Sequence, residues 1–197
     1  MLTQEVVELL VQAARVVLAE REGAKLTSSQ WMALRFFARA NSFSRTLSGF
    51  AAYQATTRGT ASQTIKIMEK DGYLERERST RDGRSSLLRM TAKGQKVLNE
   101  DPIAGLLDVI EVLDEKAQTT LRNTLRAIVA NLADGQPWKP VGCCRDCCFL
   151  LTRRQRSGAE PAFTKCLCKA IGLPIDESEL DLLCVTFQPL DGAREPA

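Results

Sequence analysis

Most of the chain alternates apolar and polar residues with a helical period, and the period changes in two short runs. Val6, Leu9, Leu10, Ala13, Val16 and Val17 form an apolar stripe near the N-terminus. Ile103, Leu106, Leu107, Ile110 and Leu113 form a second, and Leu121, Leu125, Ile128, Val129 and Leu132 a third. Each spacing predicts a helix buried on one broad face. Between the first and second stripes, Leu26-Thr27-Ser28-Ser29-Gln30 predicts a helix start before Trp31, with Thr27 or Ser28 as cap. Thr46 to Tyr53 predicts a short helix, and Ala55-Thr56-Thr57 a turn. Ala61, Ile65 and Met68 then step by four and by three, which predicts a helix facing a core until Asp71-Gly72 stops it. Beyond it, Tyr73 to Arg78 and Ser86 to Met90 read as short strands. Thr80-Arg81-Asp82-Gly83-Arg84 joins them, and Asp-Gly is a strong hairpin signal.

Chemistry gathers on that last helix and hairpin. Thr57, Arg58, Gly59, Thr60, Ser62, Gln63 and Lys66 lie at the helix N-terminus or off its apolar stripe. A helix N-terminus offers unpaired N–H groups and a positive dipole to a phosphate. Small hydroxyl and amide side chains there allow close approach to base edges in a major groove. Arg76, Arg78, Arg81 and Arg84 cluster on the ribbon, where guanidinium groups are suited to the DNA backbone or a narrow minor groove. A charged hairpin alone would read as a solvated one; beside this helix it reads as part of a DNA interface. Ser48, on the preceding short helix, is grouped with these residues.

The order helix, short helix, turn, recognition helix and two-stranded wing resembles the MarR family of winged helix-turn-helix regulators. The resemblance rests on LTSSQW, on SGFAAYQATTRGTASQTIKIMEKDGYLER, on the wing RSTRDGRSSLLRMTAKG and on the flanking helices, and spans about residues 1–135. It implies a dimer on double-stranded DNA at a pseudo-palindromic operator, usually acting as a repressor. It also implies a possible small-molecule effector, aromatic or phenolic, between reading head and dimer layer. Trp31, Phe36 and Phe37 are candidates to line such a cavity, but aromatic residues on a helix are more often plain core, and they receive no ligand role. The three outer stripes offer more apolar surface than so small a head can cover, which points to a dimerisation layer. Asp101-Pro102 predicts a break before that layer, with Asp as cap and proline in the first turn.

Charge changes this picture little. The net charge is +3, so basicity is local, concentrated in the wing and in Arg153-Arg154-Gln155-Arg156. Charged residues interrupt the N-terminal apolar runs, and no stretch is long enough to span a bilayer. A cytoplasmic protein without a membrane partner is expected.

A second region follows the segment Asp134 to Gly142, whose two prolines and two glycines predict a linker. The expected division is a DNA-binding and dimerisation domain over 1–135, a linker over 136–142, and a cysteine-rich segment over 143–197. All seven cysteines fall in the last part: Cys143, Cys144, Cys147, Cys148, Cys166, Cys168 and Cys184. In a reducing cytoplasm such clustering speaks for metal before disulfide. The chain has no histidine, so a transition-metal site would be mostly thiolate. Cys144 and Cys147 have the two-residue spacing that lets two sulfurs meet on one ion. Cys166 and Cys168 flank Leu167 and are expected on opposite sides of an extended segment, with only one needed as a ligand. Cys184 is placed to close the site. The runs CRDCCFL and LPIDESELDLLCVTFQP resemble a cysteine-bearing extension found on some MarR-like proteins. That resemblance favours Cys144, Cys147, Cys168 and Cys184 as ligands, with Phe149 and Phe187 packed around them. Cys143, Cys148 and Cys166 would then be spare, buried or redox-active thiols. Structural zinc is the first expectation, an iron–sulfur cluster the second, and metal-free thiols the third.

The expected fold is therefore mostly α with a small β-wing: a winged helix-turn-helix domain, a helical dimerisation layer and a small cysteine-rich metal-binding segment. The expected function is sequence-specific transcriptional regulation rather than catalysis. There is no histidine, no phosphate loop with its lysine and no placeable pair of catalytic carboxylates. Asp176, Glu177, Glu179 and Asp181 read as a solvated helix face. The alternative is a thiol-based redox protein, or an interaction module docking through Phe149, Leu150, Leu151 and Phe163.

Overall fold

The computed structural model describes residues 1–18, 26–78, 86–136, 138–155 and 163–190. The reading head is built from α2 (Ser28–Arg39), α3 (Leu47–Tyr53), α4 (Arg58–Lys70), the antiparallel pair β1 (Leu74–Arg78) and β2 (Ser86–Met90), and α5 (Ala92–Leu98). α1 (Leu2–Leu18) precedes it; α6 (Ala104–Glu111) and α7 (Glu115–Leu132) follow.

The local sequence explains where these helices begin. Thr27, Thr46, Thr57 and Thr91 each occupy an N-cap in extended conformation and accept a bond from a backbone N–H in the first turn. Thr27 also forms a capping box with Gln30. A cap of this kind contributes about 1 kcal/mol, so four of them do much to set element boundaries. The turn between α3 and α4 passes through Ala55 at φ 50°, a left-handed position that alanine tolerates poorly. Packing finishes the head: Leu34, Phe36, Phe50, Ala61, Ile65 and Met68 are fully buried, and Leu74 and Leu88 seal the wing onto them. The predicted stripe Ala61, Ile65 and Met68 is thus a core stripe.

The outer helices behave differently. α1, α6 and α7 bury none of their residues in the single chain, and Leu9, Val16, Leu107, Leu125 and Val129 are among the large apolar residues left exposed. The expected break lies at Asp101-Pro102. Asp101 caps the turn by accepting from the Ile103 N–H at 2.9 Å, and its carboxylate takes both Arg35 Nε and Nη2 at 2.7 and 2.6 Å. This pair ties α2 to the start of the outer helices.

The tail is a β module. β3 (Gly142–Cys143) pairs with β7 (Leu183–Cys184), and β4 (Leu150–Gln155), β5 (Phe163–Cys168) and β6 (Leu173–Ile175) form an antiparallel sheet in that order. Gly142, expected at the end of a linker, is instead the first residue of β3. A Cβ there would lie 2.7 Å from the Phe187 ring, so any larger residue requires that ring to shift. The module docks on the head. Ala40 bridges to Leu183, the Asn41 N–H donates to the Leu183 carbonyl at 2.8 Å, and the Val185 N–H donates to Ser44 Oγ at 3.1 Å. Arg126 of α7 adds an ion pair to Asp146 at 2.7 Å.

Candidate nucleic-acid interface and cysteine cluster

One face of the head is polar and open. Arg58, Gly59, Thr60, Gln63 and Lys66 are exposed along one side of α4, and Ser62 is half-buried beside them. Thr57 is the cap itself: its Oγ1 accepts from the Thr60 N–H at 3.2 Å and lies 3.0 Å from Thr60 Oγ1. Ser48 is exposed in the first turn of α3. Thr64, on the other side, is buried and lies 3.2 Å from Ser29 Oγ, which locks α4 against α2.

The wing residues divide. Arg78 is exposed at the end of β1. Arg76 is exposed too, but its Nε and Nη2 are taken by the Glu69 carboxylate near the end of α4, so it braces helix against wing. Arg81 and Arg84, with the Asp82-Gly83 turn, lie outside the described residues. So does Arg156; Arg153 and Arg154 belong to β4. Trp31, Phe36 and Phe37 are core, with Phe36 and Phe37 in edge contact at 5.0 Å between centroids.

The second constellation is sulfur. Cys144, Cys147, Cys166, Cys168 and Cys184 are buried in one cluster with Ile175, Leu180 and Phe187, and Phe149 packs against it. Cys143 and Cys148 are only half-buried. A single 3-10 turn, Cys144–Asp146, joins Cys144 to Cys147, whose N–H donates to the Cys144 carbonyl at 3.0 Å. Cys166 and Cys168, expected on opposite sides, share one face. Both are buried while Leu167 between them is exposed, because side chains two apart on a strand point the same way. β5 thus supplies two candidate sulfurs.

Polar groups are aimed at these sulfurs. Asn41 Nδ2 donates to Cys144 Sγ at 3.4 Å, and the Gln188 N–H to Cys147 Sγ at 3.5 Å. Cys144 and Cys184 share a hydrogen bond that pushes the Cys144 thiol up and holds Cys184 below the ordinary thiol range; the Thr186 N–H, Asn41 and Ser44 add to the lowering at Cys184. Burial pushes Cys143 up, which suits a bystander thiol. Among the described residues, no three Cys, Asp or Glu side chains are grouped so that they could hold a metal ion as they stand.

The acidic run is solvated only in part: Asp176, Glu177 and Asp181 are exposed, on and beside a 3-10 turn and not a helix face. Glu179, in the short 3-10 turn Glu177–Glu179, reaches the head: its carboxylate accepts from the Ser42 N–H and Oγ–H at 3.1 and 2.7 Å and meets Arg45 Nη2 at 3.3 Å. Asp181 pairs with Arg145, whose guanidinium holds it below the usual carboxylate range. Sequence reasoning missed Asn41, Ser44, Glu179, Arg35 and Asp101. Asn41 and Ser44 sit in a polar loop with nothing nearby in sequence to mark them, and Asp101 was seen only as a cap.

Helix, turn, helix and wing define a winged helix-turn-helix protein, here carrying a cysteine-clustered β module. Residues 24–85 match the MarR family model, which covers the helix-turn-helix and the start of the wing and does not extend to the cysteines. Among solved structures, a MarR transcriptional regulator from Methanosarcina mazei Go1 is similar at 18% identity over 68% of this chain and 99% of that one, with a TM-score of 0.51. Staphylococcus aureus MarR, solved with salicylate and kanamycin, is similar at 22% identity over 68% and 94% of the two chains, with a TM-score of 0.53. The transcriptional regulator SlyA is similar at 17% identity over 68% and 95%, with a TM-score of 0.50. Identities this low establish a shared fold. No curated protein matches the chain. Among the described residues, no helix is long and apolar enough to cross a membrane.

Proposed function

We propose that the chain is a sequence-specific DNA-binding transcriptional regulator, working as a dimer on a pseudo-palindromic operator and acting as a repressor in the cytoplasm. The observation that carries this reading is the exposed polar half of α4, free of the core and flanked by the wing, within the segment that matches the MarR family model. A helix so presented fits a major groove, where base edges carry a full donor and acceptor code. The apolar faces of α1, α6 and α7 support the dimer, since a two-fold copy would cover them and place two reading heads one DNA turn apart. The decisive experiment is footprinting on genomic fragments bound by the purified protein. A symmetric protected site supports the reading; binding that ignores sequence at every salt concentration refutes it.

The tail is proposed to hold one metal centre on Cys144, Cys147, Cys184 and one sulfur of β5, with Cys168 preferred. Three features support this: sulfurs buried together, N–H donors directed at them, and an apolar shell of Phe187, Leu180 and Ile175. N–H bonds to sulfur stabilise thiolates in zinc and iron–sulfur sites alike. Zinc would make the centre architectural, and a cluster would make it a sensor. The burial of Cys144 and Cys184 as free thiols in one cluster favours a second reading, a thiol pair that an oxidant such as a peroxide converts to a disulfide. That step releases two protons and passes two electrons to the peroxide, giving water. Elemental analysis with an absorption spectrum of anaerobically purified protein separates the readings: zinc, iron with broad visible bands, or no metal.

A further inference from the structure

Four residues of α4 are apolar, and three of them, Ala61, Ile65 and Met68, are wholly buried in the head. The fourth, Ile67, is 47% exposed. Its place on the helix explains the difference. Residues of a helix step around the axis by about 100° each, so Ile67 falls about 40° from Gln63, one turn along the same face. Glu69, which holds Arg76 of the wing, falls on the opposite flank, so β1 meets α4 on the side away from Ile67. Gly59, Gln63, Lys66 and Lys70 are all exposed and run down the middle of the outward face, with Ile67 beside them. A single exposed apolar residue is ordinary on a protein surface. This one is set apart by its company: an amide and two lysines on one face, with a glycine where the helix begins.

We propose that Ile67 reads a thymine methyl group in the major groove, close to the base pair read by Gln63. This rests on the DNA-binding reading above and names a residue that adds specificity to it. An A·T pair shows adenine N6 and N7 to an amide side chain and the thymine C5-methyl to an apolar one. Ile67 can make no hydrogen bond through its side chain, and that methyl is the apolar group the groove offers it. Lys66 and Lys70 complement the phosphates that wall the groove on either side. One turn of four residues rises about 6 Å, close to two base steps of about 3.4 Å each, so the thymine is expected within two base pairs of the Gln63 contact. Cytosine carries no C5-methyl, so contact with Ile67 separates the two pyrimidines where a hydrogen-bonding side chain is absent.

The test uses the full-length chain and a duplex that it selects from a random pool, with affinity read by fluorescence anisotropy. Each thymine of one half-site, on either strand, is replaced in turn by deoxyuridine, which removes the C5-methyl and keeps the base pairing. In the wild type one replacement is expected to weaken binding about fourfold, the worth of one buried methyl group. In Ile67→Ala the unmodified duplex binds at least about fourfold more weakly, and the same replacement changes affinity by less than about 1.5-fold. Ile67→Val, which keeps an apolar branch, retains a preference for thymine. The scan on the wild type stands by itself, whatever the variants do to folding. A wild type for which no replacement costs more than about twofold overturns the inference and leaves the DNA-binding reading intact, as does an undiminished preference in Ile67→Ala. A wild-type chain that selects no sequence from the pool overturns both.

Discussion

Asp101→Ala removes a carboxylate that ties the reading head to the outer helices, and its effect can be worked out in parts. Asp101 is 8% exposed and Arg35 15%, and two hydrogen bonds at 2.6 and 2.7 Å join them. Breaking a buried pair by removing one partner costs about 3–5 kcal/mol, because the remaining charge stays buried and uncompensated. Residual access of water to Arg35 places this pair at the lower end, about 3 kcal/mol. Loss of the cap on the Ile103 N–H adds about 1 kcal/mol. Asp101→Asn keeps one acceptor oxygen for the Ile103 N–H and Arg35 Nη2 but turns its NH2 against the Arg35 Nε–H, so its loss should fall below that of Asp101→Ala by about the value of the cap. Arg35→Met in the Asp101→Ala background removes the orphaned charge and should recover part of the loss. Urea unfolding followed by Trp31 fluorescence, in a Trp138→Phe background, reads the head directly because Trp31 lies in its core. A loss under 1 kcal/mol for Asp101→Ala, or no recovery in the double variant, would refute the reasoning.

Gln63→Ala should change preference among duplexes, costing about 1–3 kcal/mol at one base pair. Arg78→Ala should weaken all duplexes alike and reduce the salt slope by about 1; competition binding at several salt concentrations distinguishes the two behaviours. Val129→Glu, which places a charge on an exposed apolar face, should turn a dimer into a monomer by light scattering at micromolar concentration. Cys147→Ser or Cys184→Ser should abolish metal binding and make the module protease-sensitive, while Cys143→Ser leaves metal content unchanged by elemental analysis. Gly142→Ala should loosen the module and accelerate its proteolysis, because the Phe187 ring occupies the space of the added methyl group.

Much of the head was legible before any tertiary information. Helix caps, the stripe Ala61, Ile65 and Met68, and the paired runs of the wing depend on neighbours a few residues apart, so propensity and period determine them. The clustering of sulfur after residue 142 was equally plain in the residue order, and the short turn between Cys144 and Cys147 followed from their spacing. Tertiary structure decided the rest. Strand geometry, once β5 existed, put Cys166 and Cys168 on one face, and pairing with Glu69 turned Arg76 into a brace. Above all, contacts between residues more than 130 apart, Asn41 with Leu183 and Ser42 and Arg45 with Glu179, placed the module on the head. No local pattern encodes such pairs. A polar loop and an acidic run each satisfy their hydrogen bonds equally well in water, and only the folded chain brings them to the same place.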